Sequence, residues 1–198
     1  MSVRRPRPIQ LHLEEFVPGH ENYPPVYIRS LRASDVKGVA EVFQKNPDVF
    51  TKDEVKDAAK EAYALAKSKF AERRATGSGA YVAAQKRTHR VLGYGSYSKD
   101  FDNNYWVGWL AVSPDSKGKG FGKKILSKIE DLASARGAAA VRVDTSDTNY
   151  PAQEFYRKMG YAATNFVPEG EERPADNINF VKPLEQPQAQ RRKVSAQA

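Results

Sequence analysis

The sequence contains no cysteine. That single absence excludes disulfides, thiolate zinc sites, iron–sulfur clusters and cysteine nucleophiles. No uninterrupted apolar run approaches the roughly 18 residues of a membrane span, so no membrane partner is expected. Met1 to Gln10 is basic and proline-rich with no apolar stretch behind it. It does not read as a secretory signal, and a cytoplasmic protein is the default expectation. Histidine is scarce: His12, His20 and His89 have no metal-ligand spacing and form no evident catalytic pair. No metal is therefore expected, and no internal repeat is visible.

What is present suits one domain. The 198 residues are short for two domains, and 40% hydrophobic with 28% charged residues excludes a wholly disordered or collagen-like chain. The net charge of +8 is concentrated at the ends, in Arg4, Arg5 and Arg7 and again in Arg191, Arg192 and Lys193. Basic arms can hold nucleic acid by releasing counterions, but charge placed this way is more often simply solvated, and nucleic acid is not the expected main partner. Residues 1–25 read as a basic, proline-rich arm without a sustained strand or helix period, and residues 185–198 read as a disordered tail. Residues 26–184 make the domain, as a monomer or a homodimer.

Within that domain, strand and helix signals alternate. Val26 to Ser30 is a short strand candidate. Ser34 is placed to cap a helix bearing Val36, Val39, Ala40 and Phe43 on one face. Thr51 to Glu54 forms a capping box, and the helix behind it runs to about Arg74. Ala80–Gln85 and Val91–Ser98 pair around the turn Lys86 to His89, and Asp100 to Asn104 is a second turn. Tyr105–Val112 is apolar throughout, as a strand buried on both faces would be, with Gly108 marking a bulge or a close backbone approach. Phe121, Ile125, Ile129, Leu132 and Ala133 form the inner stripe of a helix. Ala139–Thr145 is a strand, Ala152 to Met159 a helix ending at Gly160, and Tyr161–Val167 and Ile178–Val181 close the sheet. The fold class is α+β, a mixed sheet flanked by helices.

The chemistry concentrates where the buried strand ends. Lys117-Gly118-Lys119-Gly120-Phe121-Gly122-Lys123-Lys124 joins that strand to a helix. Glycines let the backbone turn with its N–H groups toward a ligand, and a helix start adds unpaired donors and partial positive charge, an anion site. Neither a dinucleotide fingerprint nor a P-loop starting at Gly118 fits, because both need glycine where Lys123 stands.

Following Leu110-Ala111-Val112-Ser113-Pro114, this turn resembles the acetyl-CoA motif of the GNAT N-acetyltransferase superfamily, Gln/Arg-x-x-Gly-x-Gly/Ala, with Lys117 at the first position. Lysine there keeps the charge but loses a planar side chain. Asn149, Ala152, Tyr156, Gly160 and Tyr161 resemble the family's second motif, Asn-x-x-Ala-x-x-x-Tyr-x-x-x-Gly-Phe/Tyr. Taken singly, these residues have structural uses: Pro151 suits a first helical turn and Gly160 a helix end.

The resemblance implies splayed central strands and acetyl-CoA as co-substrate, held by Leu110, Ala111, Val112, Lys117, Gly118, Lys119, Gly120, Phe121, Gly122, Lys123 and Asn149. It implies direct transfer of the acetyl group to a primary amine of a small molecule or peptide. A backbone N–H near Leu110 to Val112 would stabilise the oxyanion, and Tyr156 would protonate the departing thiolate as general acid. Histone-type members carry an acid where Trp106 stands, so their mechanism is not expected here. Asp144 is a possible base, or else an ion-pair partner of Arg142 or Arg157. The acidic stretch Pro168 to Asp176 could draw a cationic amine, or be a solvated loop. A non-catalytic acyl-CoA-binding module is the alternative.

Overall fold

The computed structural model of the chain describes residues 14–19, 24–165 and 176–185. His12, His20, most of the acidic stretch and the tail from Gln186 lie outside the described residues. Among these, eight strands form one mixed sheet: β1 (Glu14–Val17), β2 (Val26–Ser30), β3 (Gly79–Gln85), β4 (Val91–Lys99), β5 (Tyr105–Val112), β6 (Ala140–Ser146), β7 (Ala162–Thr164) and β8 (Asn177–Pro183). Their order is β1-β2-β3-β4-β5-β6-β8-β7. Every neighbouring pair is antiparallel except β5 and β6. The helices are α1 (Val36–Gln44), α2 (Lys52–Lys67), α3 (Phe70–Thr76), α4 (Phe121–Ala135) and α5 (Tyr150–Lys158). None is long and apolar enough to cross a membrane.

The core lies in two layers, one on each face of the sheet. Val39, Val42 and Phe43 of α1 and Ala58 and Ala62 of α2 pack on Val82, Tyr94 and Ala111. On the opposite face, Phe121, Ile125, Ile129, Leu132 and Ala133 of α4 are all buried, as their spacing predicts. They meet Leu92, Val107, Val141 and Phe180, and Tyr156 of α5 joins the same cluster. α4 sits close because β4 carries glycine beneath it. A Cβ on Gly95 would stand 2.5 Å from Ile125 Cγ2.

Thr51 caps α2 as its sequence predicts: its backbone N–H donates to Glu54 Oε2 at 2.7 Å, and its Oγ1 accepts from the Glu54 N–H. Other expectations need correction. Glu14–Val17, inside the supposed arm, is a strand, because a partner in register along β2 compensates for a short local period. Ser34 caps no helix. Residues 33–35 form a 3₁₀ turn, and the buried Asp35 takes the Arg32 N–H and both Nη atoms of Arg29 instead. The long helix breaks at Ser68, whose ψ of 139° is extended, so α3 is separate. The strand read as Tyr161–Val167 spans Ala162–Thr164 among the described residues.

The bulge at Gly108 is real. Tyr97 pairs with Val107 and Gly95 with Leu110, so Gly108 and Trp109 together oppose Ser96. Burial of β5 on both faces, however, is incomplete: Trp106 is already only partly buried, and beyond Val107 only Ala111 is fully buried. Gly108 is exposed, and Trp109, Leu110 and Val112 are only partly buried. The reason is topological. β5 pairs with β6 only at Tyr105–Val141, Trp106–Arg142 and Val107–Val143. After that each strand follows its other neighbour, β5 along β4 to Val112 and β6 along β8 to Ser146.

Candidate active site

The parting of β5 and β6 opens the middle of the sheet, and both sequence motifs sit on its walls. On one side, β5 runs through Leu110, Ala111 and Val112 into the turn and then α4. Leu110 faces the α4 layer and Ala111 the α1–α2 layer. Beyond Val107 no described strand pairs with the β5 edge that faces the opening. Asn46, buried at the end of α1, donates from Nδ2 to the Val112 carbonyl at 3.2 Å and to the Val42 carbonyl at 2.8 Å. It fixes where the strand ends.

Gly118 and Gly120 have φ of +75° and +77°, the left-handed region that glycine enters without strain. A Cβ at either would meet nothing within 4 Å, so the turn's backbone stands open. Gly120 is the N-cap of α4 and supplies no side-chain cap bond. The first N–H groups of the helix therefore face outward together with its positive dipole end. Lys117, Lys119 and Lys123 are exposed around this turn, although Lys119 Nζ also reaches the Asp115 carbonyl at 3.1 Å. Lys124 is committed elsewhere, to Glu15 of β1. Ser113 and Arg90 hold the Asp115 carboxyl well below its usual range, at about 2. Open main chain, a helix N-terminus and exposed lysines fit a polyphosphate ligand.

The opposite wall carries the second motif. Asn149 is the N-cap of α5: its Oδ1 accepts from the Ala152 N–H at 3.3 Å, and its Nδ2 donates to Thr145 Oγ1 at 3.2 Å. Tyr156 is 5% exposed and packs against Phe155, Tyr161 and Phe180. Burial, and then the nearby Asp144 charge, push its hydroxyl pKa far up, so it keeps its proton. Asp144 is exposed and accepts from Asn177 Nδ2 at 2.8 Å. Arg142 is engaged by Asp100 and Asp102, and Arg157 by Gln153 and the Phe180 ring. The two motifs approach each other at Gly122, where a Cβ would lie 3.7 Å from Phe155.

Sequence reasoning missed a group on the α1–α2 side of the bulge. Glu61 of α2 is half-buried, and its Oε1 accepts from the Tyr94 hydroxyl at 3.3 Å. A Cβ on Gly108 would lie 3.7 Å from Glu61 Oε2 and 3.1 Å from Ser96 Oγ. The available signal was an acid within the helix's inward stripe, between Ala58, Ala62 and Leu65.

Comparisons with known proteins agree with this geometry. The model of the acetyltransferase (GNAT) family matches residues 41–161. The chain is similar to the thialysine N-epsilon-acetyltransferase of Bos taurus, at 32% identity over 74 residues, which is 35% of this chain and 44% of that protein. It spans between about a quarter and a half of the length of the curated relatives it matches. Among solved structures, an acetyltransferase of the GNAT family from Staphylococcus aureus Mu50 aligns with a TM-score of 0.67 at 16% identity, covering 81% of this chain and 99% of that one. The PaiA N-acetyltransferase of Thermoplasma acidophilum, solved in complex with coenzyme A, aligns with a TM-score of 0.62 at 17% identity, covering 80% and 98%.

Proposed function

The chain belongs to the acetyltransferase (GNAT) family, and from that membership and the parted strands we propose that it is an N-acetyltransferase using acetyl-CoA to acetylate a primary amine of a small molecule or peptide. The observation that carries this reading is the opening between β5 and β6, with the glycine turn following β5 and Asn149 bonded to Thr145 on the parted end of β6. Acetyl-CoA would supply an activated acyl group as a thioester. The backbone from Lys117 to Lys123 would hold its pyrophosphate, and the open edge of Leu110 to Val112 would take its amide arm by strand-like hydrogen bonds.

In this reading a β5 backbone N–H stabilises the oxyanion. Tyr156 gives its proton to the leaving sulfur. A phenol held protonated by burial is a weak acid, but the same burial raises the basicity of a thiolate beside it. Asn149 shapes the opening by fixing the start of α5. Asp144, exposed and hydrogen-bonded to Asn177, is retained as a candidate route for the amine's proton to solvent. The acceptor named for one relative, thialysine, makes amines the first acceptors to try.

The test is thermal unfolding with acetyl-CoA, CoA, ATP and NAD, followed by thiol release in the presence of amines. A ligand at 100 times its Kd adds about 2.7 kcal/mol to the folded state. Stabilisation by both CoA species, with amine-dependent thiol release, is expected. Stabilisation without release from any amine would leave a binding module, and no response to CoA would overturn the reading.

A further inference from the structure

In the middle of an eight-stranded sheet, one main-chain segment lies exposed beneath a carboxylate. Gly108 has no side chain, and β6 has already turned away, so solvent reaches the β5 backbone there. Bulged residues place neighbouring side-chain positions on one side. The Gly108 position aims at Glu61 and Ser96, and the Trp109 ring packs edge-on against Phe43 and Phe50 in the same α1–α2 layer. Ser96 Oγ accepts the Trp109 N–H at 3.0 Å, which locks the bulge in shape.

Of the four acids of α2, Glu54 is partly buried like Glu61 but is taken up by the Thr51 cap at the helix start. Asp53 and Asp57 lie at the exposed surface with Lys56 and Lys60 as partners, whereas Glu61 turns inward. Its hydrogen bond comes from the Tyr94 hydroxyl, and among the described residues no lysine or arginine pairs with it. A half-buried carboxylate is costly without a counter-charge. Tyr94 supplies a donor but no charge. Burial, reinforced by the Glu61 charge, pushes the Tyr94 pKa far up, so the phenol stays a donor. A counter-charge has a place to sit, because Gly108 is exposed and its missing side chain leaves a gap bounded by Ser96 Oγ and Glu61 Oε2, 3.1 and 3.7 Å from where a Cβ would lie, with Trp109 the next residue along the bulge. That combination selects a compact cation.

We propose that the space over Gly108 seats the primary ammonium of the acceptor, with Glu61 as its counter-charge and Trp109 as its apolar wall. The inference rests on the acetyltransferase reading, because an ammonium held there becomes, once it has lost a proton to solvent at the exposed Gly108, a free amine at the β5 backbone where that reading needs it. It makes Glu61 a specificity determinant: cationic amines enter, whereas alcohols and carboxylic acids of the same shape do not gain the ion pair.

The test uses the full chain. In a Trp106→Phe background Trp109 is the only tryptophan, so its fluorescence reports binding of thialysine, spermidine and 2-phenylethylamine without turnover. Thiol release gives KM for acceptor and for acetyl-CoA. Glu61→Gln keeps the size of the side chain and an acceptor for Tyr94. It is expected to weaken amine binding and raise the acceptor KM roughly ten- to hundredfold, the scale of a charged hydrogen bond. Gly108→Ala, whose Cβ would lie 3.7 Å from Glu61 Oε2 and a tight 3.1 Å from Ser96 Oγ, is expected to do the same, with unchanged acetyl-CoA stabilisation as the control that the bulge survives. Stabilisation by acetyl-CoA should persist in both variants.

An unchanged acceptor KM in Glu61→Gln would overturn the proposal while leaving the acetyltransferase intact. So would acetyl-CoA binding with neutral acceptors used as well as amines. Failure of the parent chain to respond to acetyl-CoA would instead remove the functional reading, and this inference with it.

Discussion

At the scale of single residues, the roles divide by what each side chain already touches. Tyr156 is surrounded by rings and close to Asp144, and nothing in its packing needs its hydroxyl. Tyr156→Phe is therefore expected to leave folding and the acetyl-CoA KM unchanged and to lower kcat roughly tenfold or more, the range of a lost general acid. Steady-state thiol release decides it: unchanged turnover would assign the residue to packing. Gly118 and Gly120 are legible in the sequence because left-handed φ is a local demand that few residue types meet, whereas Asn149 is legible only through the motif it resembles and not as the N-cap it forms. Glu61 is not. An acid on an amphipathic helix reads as solvated until the facing strand is known to bulge and to carry glycine at that point.

Among the elements, helices with a 3.6-residue stripe are readable because one face decides them, as in α4. The break between α2 and α3 is not readable, since the Ala-rich pattern continues through Ser68. β1 is too short to show a period and depends on its pairing with β2. The close seating of α4 on β4 yields a prediction at this scale. Gly95→Ala would push a Cβ to 2.5 Å from Ile125 Cγ2 and 3.2 Å from Leu110 Cδ1. It is expected to destabilise the protein by about 1–3 kcal/mol, as overpacking does. Urea unfolding checks this, and a loss below about 0.5 kcal/mol, within the range of innocuous substitutions, would mean that α4 can lift without cost.

Over the whole molecule, burial sets the alkaline limit. Five of the ten tyrosines, Tyr81, Tyr94, Tyr97, Tyr156 and Tyr161, have pKa values raised chiefly by burial. The unfolded chain ionises its phenols near pH 10, whereas these five hold their protons when folded. Their contribution to stability is complete below pH 10 and is lost as pH rises beyond it. Titration of phenolate absorbance is expected to fall short of ten groups while the protein remains folded, with the remainder appearing on unfolding. A full complement before unfolding would contradict this. At this scale the mixed α+β class was readable from the alternation of elements, but the opening was not, because it is a relation between two strands that are each ordinary alone.

That opening also bears on how the chain assembles. β3, β4 and β5 are joined by turns at residues 86–90 and 100–104, so their pairing closes short loops. The first β5–β6 pair joins Tyr105 to Val141, with all of α4 between them. Long loops are slower to close, and only three residue pairs repay this closure. The meander and its helices can thus form first, and the seam beside the site is among the last parts of the sheet to zip. A slow phase in refolding should report on β6 and β8, not on the glycine turn.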